Sequence, residues 1–158
     1  MKGGTINSEN SYAIENWKNA TIKDNAVING NVSIVDVRRR GSDLTISGGT
    51  VNGDVESVTY DGADGKAAKV AITGGTVNGT LNTIDYSAGA ATDDSTKAAI
   101  EVTAGTFSSD PSRYLVESSS AAKNEDAPTV SRKPTLRRLA KPATTPWTRR
   151  SRLRPPAA

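Results

Sequence analysis

Few side chains in this 158-residue sequence are suited to chemistry. Histidine and cysteine are both absent. That removes the usual general base, the commonest zinc ligand and the thiolate nucleophile. Carboxylates remain. Asp93 and Asp94, beside Asp85 or with Glu101, could supply the acid pair that cleaves a polysaccharide. Glycoside hydrolysis needs two carboxyl groups facing one cleft at a set separation. Here the acids are scattered through polar stretches, and aromatics are only 4 % of the chain, so few rings could stack a sugar. Asp61-Gly-Ala-Asp64-Gly resembles half a calcium loop but lacks the alternating oxygen ligands and terminal Glu of an EF-hand. A solvated acidic loop is the simpler reading. Arg38-Arg39-Arg40 could hold an anion, or form a solvated corner. Neither of the glycine-rich phosphate-binding patterns occurs. The chain is therefore expected not to be an enzyme, with no catalytic residue, no metal and no cofactor.

The elements that would position any site come from a repeat. Leu44 begins LTISGGTVNGDVESVTYD and Val70 begins VAITGGTVNGTLNTIDYS. The two align without a gap at 26 residues, and GGTVNG is identical in both. Ile100 begins a further copy, IEVTAGTFSSD. Ala20–Val35 is a degraded one, and Lys2–Ile6 reads as the end of another. Within each copy apolar residues alternate over short runs, the period of a strand with one buried face. Gly48, Gly49, Asn52 and Gly53 fall between the runs, as do Gly74, Gly75, Asn78, Gly79 and Gly105. Glycine and asparagine tolerate positive φ, so these positions read as corners.

A copy of this length cannot bury its apolar side alone, but stacked coils bury one another's. The expected fold is thus all-β: a β-solenoid, or parallel β-helix, of short irregular coils over residues 1–116. Its expected core is Ile22, Ile28, Leu44, Ile46, Val51, Val55, Val58, Val70, Ile72, Val77, Leu81, Ile84, Ile100, Val102 and Phe107. Asn52-Gly53 also fits a hairpin turn. Strands of hairpins need not repeat residue by residue, whereas stacked parallel coils do. Thr45, Thr50 and Thr76 suggest the threonine ranks of ice-binding solenoids, but Ala71 interrupts a flat array. Trp17 is expected to pack as a cap residue near the first coil.

Composition agrees with strands, because Ile and Val far outnumber Leu and β-branched side chains suit a pleated surface. No apolar run is long enough to span a bilayer, and the first residues lack the apolar core of a signal peptide. Charge is segregated. Residues 1–130 carry 11 Lys/Arg against 17 Asp/Glu, a net of −6, while residues 131–158 carry nine and no acid, a net of +9.

The closing copy, TAGTFSSDPSRYLVE from Thr103, with the GGTV copies before it, resembles a repeat family in surface proteins of gut bacteria. In that family GGTV and GGTF coils run in series and close with a segment like GGTFSSDPSAYVA. The matching positions are Gly105–Ser112 and Tyr114–Val116; Ala104 and Arg113 depart. The resemblance implies a secreted or wall-attached modular protein at the cell surface. Its stack would act as spacer or adhesin, with glycans or surface proteins as partners. Asp110-Pro111 is expected to end the stack, since proline cannot extend a central ladder.

Residues 117–130 are expected to be a linker, and residues 131–158 a disordered basic tail. A basic arm could bind nucleic acid or another acidic partner, and the acidic coils could mimic a polyanion; neither is the first expectation. The tail also reads as a frameshift product. Taken two bases out of frame, with permitted codon choices, Lys133–Ala158 can give EADAASLGETCYNTLDEAVAAAAAG. Trp147-Thr148 must then give Asp. That string resembles the family's acidic continuation followed by an amphipathic helix.

Overall fold

The computed structural model describes residues 1–36, 41–60, 68–86, 100–117, 119–123 and 128–132. It is a parallel β-solenoid. Ten strands follow in order: β1 (Gly3–Asn16), β2 (Ala20–Ile22), β3 (Asn25–Asp36), β4 (Ser42–Asn52), β5 (Val55–Thr59), β6 (Ala68–Val77), β7 (Leu81–Asp85), β8 (Ile100–Phe107), β9 (Ser119–Lys123) and β10 (Pro128–Arg132). Successive coils pair in parallel along three columns. The first stacks Ala20–Ile22, Leu44–Ile46, Val70–Ile72 and Ile100–Val102. The second stacks the segments at Thr5–Asn7, Val27–Asn29, Thr50–Asn52, Thr76–Val77 and Thr106–Phe107. The third stacks Tyr12–Asn16, Val32–Asp36, Val55–Thr59 and Leu81–Asp85.

The alignment read from the sequence is the alignment in space. Ile46 pairs with Ile72 and Val51 with Val77, so the 26-residue offset is one turn of the stack. The degraded copy has one residue more, four between Ile22 and Val27 where three separate Ile46 from Thr50. Asp24, at φ 59, takes up the extra residue in a left-handed conformation. Asp is among the few non-glycine residues that adopt that conformation readily.

Aliphatic side chains from every coil meet in one continuous core. Ile28, Ile46, Val51, Ile72 and Phe107 are fully buried there, and every expected core residue joins it except Val58 and Ile84. In β5 the inward positions are Val55, Ser57 and Thr59, because a strand alternates faces. The Ser57 hydroxyl donates to the Ala68 carbonyl at 2.7 Å, and the Ala68 amide donates to the Thr59 hydroxyl at 3.2 Å. Val58 and Ile84 stand on the opposite face. Val58 is buried outside the core cluster and Ile84 is half-buried.

The corners also correct an expectation. Gly49 and Gly75 have φ of 79° and 89°, as the corner reading requires, but Gly53 and Gly79 are glycine for another reason. A Cβ on Gly53 would lie 2.5 Å from the Gly30 carbonyl, and one on Gly79 would lie 2.2 Å from the Gly53 oxygen. Each coil's backbone here rests on the backbone of the coil before it. Asn52 and Asn78 do not have positive φ; they form a ladder, described below.

The C-terminal end is closed on all three columns. The Val116 amide donates to the Val102 carbonyl at 3.3 Å beyond the first column. Pro111 is buried at the end of the third column, and the Tyr114 hydroxyl donates to the Leu81 carbonyl at 3.0 Å. The side chain of Asp110 accepts from the Ser112 amide at 2.9 Å, setting the 3-10 turn Ser112–Tyr114. β10 pairs antiparallel with β8 beyond the second column, with Val130 opposite Gly105 and buried in the core. The segment expected to be a linker, residues 117–130, thus supplies β9 and most of a hairpin with β10. Its alternation was hidden by its Ser and Ala content, which carries little apolar contrast. Residues 133–158 of the expected tail lie outside the described residues.

Candidate contact face

Two outward faces carry organised side chains. On the second column Ile6, Ile28, Val51, Val77 and Phe107 point inward, so their neighbours on either side point out. Asn29 donates to Asn7 at 2.6 Å, Asn52 to Asn29 at 2.7 Å and Asn78 to Asn52 at 2.8 Å, each from Nδ2 to Oδ1. Four amides form one hydrogen-bonded ladder along the stack. Beside it runs the rank Thr5, Val27, Thr50, Thr76, Thr106. Threonines therefore line up with asparagines, not with a second threonine rank.

The neighbouring corner continues the pattern. Asp54 Oδ1 accepts from both the amide and the hydroxyl of Thr80 at 2.8 Å, and Asn31 Oδ1 accepts from the Asp54 amide at 3.0 Å. These side chains satisfy backbone donors that the turn leaves without strand partners.

The third column presents the aromatic face. Its outward ranks are Glu15, Ser33, Glu56 and Asn82, then Val35, Val58 and Ile84. Tyr60 and Tyr86 follow these strands and stack with centroids 4.8 Å apart and planes 8° from parallel. That spacing is the strand-to-strand distance of a sheet. Tyr12 reaches across from the first coil, and its hydroxyl donates to Glu56 Oε2 at 2.7 Å. That bond, then burial, then the negative charges of Glu56 and Glu15, push the Tyr12 phenol up to about 12. Tyr12 and Tyr60 remain 40 % and 48 % exposed, large values for rings this close to an apolar rank. Ser33, Val35, Glu56 and Val58 are buried within these ranks, so the groups this face exposes are chiefly the Tyr12 and Tyr60 rings, whose flat surfaces suit contact with another molecule.

The residues singled out from sequence scatter. Asp85 is buried at the inner side of the third column, while Glu101 is exposed on the first, so they share no cleft. Asp61, Asp64, Asp93, Asp94 and Arg38–Arg40 lie outside the described residues. Trp17 is 58 % exposed and does not pack as a cap residue. Among the described residues, no group of three or more acidic side chains is placed to hold a metal ion. No helix among them is long and apolar enough to cross a membrane. The tyrosine stack went unread although its signal was present: Tyr60 and Tyr86 occupy the same position of the aligned copies.

No family model, curated protein or solved structure matches the chain.

Proposed function

We propose that the chain is a structural and interaction module: a β-solenoid segment of a bacterial cell-surface protein, serving as spacer or adhesin and not as an enzyme. The stack in vertical register carries this reading. Coils whose only neighbours are the coils above and below make a stiff, extendable element with broad lateral faces. The resemblance of the closing segment to surface repeat proteins supports the same role. A direct test places the folded chain between two fluorescent reporters and measures their separation. A spacer holds them at a fixed distance as viscosity and salt change, and collapse onto a flexible-chain distance would end the proposal.

A second reading, glycan binding, is favoured by one observation. The exposed rings of Tyr12 and Tyr60 share a face with Tyr86, and sugars bind where their apolar C–H faces meet aromatic rings. Screening against neutral and acidic oligosaccharides tests it. Tyr60→Ala should abolish any specific signal, and a signal unchanged by that substitution would place binding elsewhere.

A further inference from the structure

Three rungs of the asparagine ladder carry a reactive dipeptide. Asn29, Asn52 and Asn78 are each followed by glycine, whereas Asn7 precedes Ser8. Before glycine, the next backbone nitrogen reaches the asparagine side-chain carbonyl carbon most freely, because no Cβ obstructs the approach. The three rungs are equivalent in sequence, and the fold makes them unequal.

Asn29 and Asn52 are held at both ends of the amide. Each donates through Nδ2 to the rung before it and accepts at Oδ1 from the rung after it. Asn78 donates to Asn52, but its own Oδ1 accepts from no described residue. Val77 pairs with Phe107, so the next coil places Ser108 where a further asparagine would stand, and the ladder ends. Asn78 is exposed, while Asn29 is half-buried. The Gly79 amide donates to no described residue. To bring Cγ over the next nitrogen, a side chain must turn out of the ladder. Asn29 and Asn52 break two bonds in doing so, and Asn78 breaks one.

We propose that Asn78-Gly79 is a site of spontaneous deamidation, selected over Asn29 and Asn52 by the open end of the ladder. The Gly79 nitrogen attacks Asn78 Cγ, and the new C–N bond closes a five-membered succinimide. The Cγ–Nδ2 bond breaks, and that nitrogen leaves as ammonia, carrying the proton lost by the Gly79 amide. Solvent water then opens the ring at either carbonyl, giving aspartate or iso-aspartate. Both products place a new negative charge on the outward side of the second column. Iso-aspartate also adds a carbon to the main chain beside Gly79, where a Cβ would already lie 2.2 Å from the Gly53 oxygen. The Ser109 hydroxyl donates to the Gly79 carbonyl at 2.6 Å, so this product disturbs the closing segment at its anchor.

The experiment incubates the whole folded protein in mildly alkaline buffer and maps its peptides by mass spectrometry at intervals, beside a sample held unfolded in urea. In the folded protein, acid at residue 78 should accumulate about fivefold faster than at 52 or 29, the factor for one ordinary hydrogen bond. In urea the three sites should convert at similar rates, since each precedes glycine. Asn52→Ala removes the acceptor of Asn78 and the donor to Asn29, and should speed both. Folded protein in which Asn29 or Asn52 keeps pace with Asn78 overturns the proposal. So does an Asn78 that stays intact in the folded chain while the urea sample converts. An order of rates that persists in urea, or rates in Asn52→Ala equal to the parent's, overturns it as well.

Discussion

At the scale of single residues, contact between successive backbones sets the hardest constraints. Gly79→Ala forces a methyl group against the Gly53 carbonyl, where 2.2 Å is available. Relieving that clash means lifting one coil off the next. The expected loss is about 3 kcal/mol or more, at the upper end for overpacking. Gly3→Ala meets nothing within 4 Å and should stay within about 0.5 kcal/mol of the parent. Urea unfolding of both variants checks the contrast. Tyr12 makes a different kind of prediction. Its phenol is raised from 10.0 to about 12 in the folded chain, chiefly by the bond to Glu56. The neutral form is the one that the fold favours. Stability from this group is complete below pH 10 and declines as pH rises toward about 12, because the unfolded chain ionises first. A tyrosinate absorbance titration should show a late transition that Tyr12→Phe removes.

At the scale of elements, the first and second columns were legible because their sequence signals are local and redundant. Leu44–Ile46 and Val70–Ile72 alternate cleanly, and the glycine pair after them recurs in step. The third column was half-legible. Val55 and Val58 look like the ends of an apolar run, yet three residues apart they cannot share a face of a strand. The inward places go to Ser57 and Thr59, whose hydroxyls hold the backbone of Ala68. Polar side chains facing inward are invisible to a hydrophobic pattern when their partner is backbone from another coil. The face built by Tyr12, Glu56, Tyr60 and Tyr86 was missed for a related reason. The Tyr12–Glu56 contact spans 44 residues with no repeat to announce it. β9 and β10 were hidden by composition, and they make a testable cap. Removing residues 118–158 uncovers the β8 edge at Gly105–Thr106 and takes Val130 out of the core. The loss of that side chain alone is worth about 1.5–3 kcal/mol, and a bare edge promotes pairing between chains. Light scattering should show larger species in the truncated protein at concentrations where the parent is monodisperse.

At the scale of the whole molecule, a stack of near-identical coils behaves as a one-dimensional array. Stability is then close to a sum of coil terms and interface terms between neighbours. This has a sharp consequence for deletion. Excising residues 44–69 joins Asp43 to Val70. Because Asp43 is the register partner of Lys69, the join is seamless in every column. The coil of β3 would then meet the coil of β6 directly, Ile28 stacking on Val77 where it formerly stacked on Val51. The asparagine ladder would close from Asn29 to Asn78, and the backbone contact from Gly30 to Gly79. Such a chain should keep its far-UV spectrum and unfold in one transition. Its denaturant m-value should fall by about a fifth, the share of surface that one coil contributes. Excising residues 44–56 instead, half a coil, removes Leu44, Ile46, Val51 and Val55 from the core and brings what remains of β5 into the first column, out of step with the coils on either side. That chain should not fold, because its neighbouring coils lose the aliphatic side chains that shield their own. If both deletions behave alike, folded or unfolded, the coils are not interchangeable units and the additive picture of the stack is wrong.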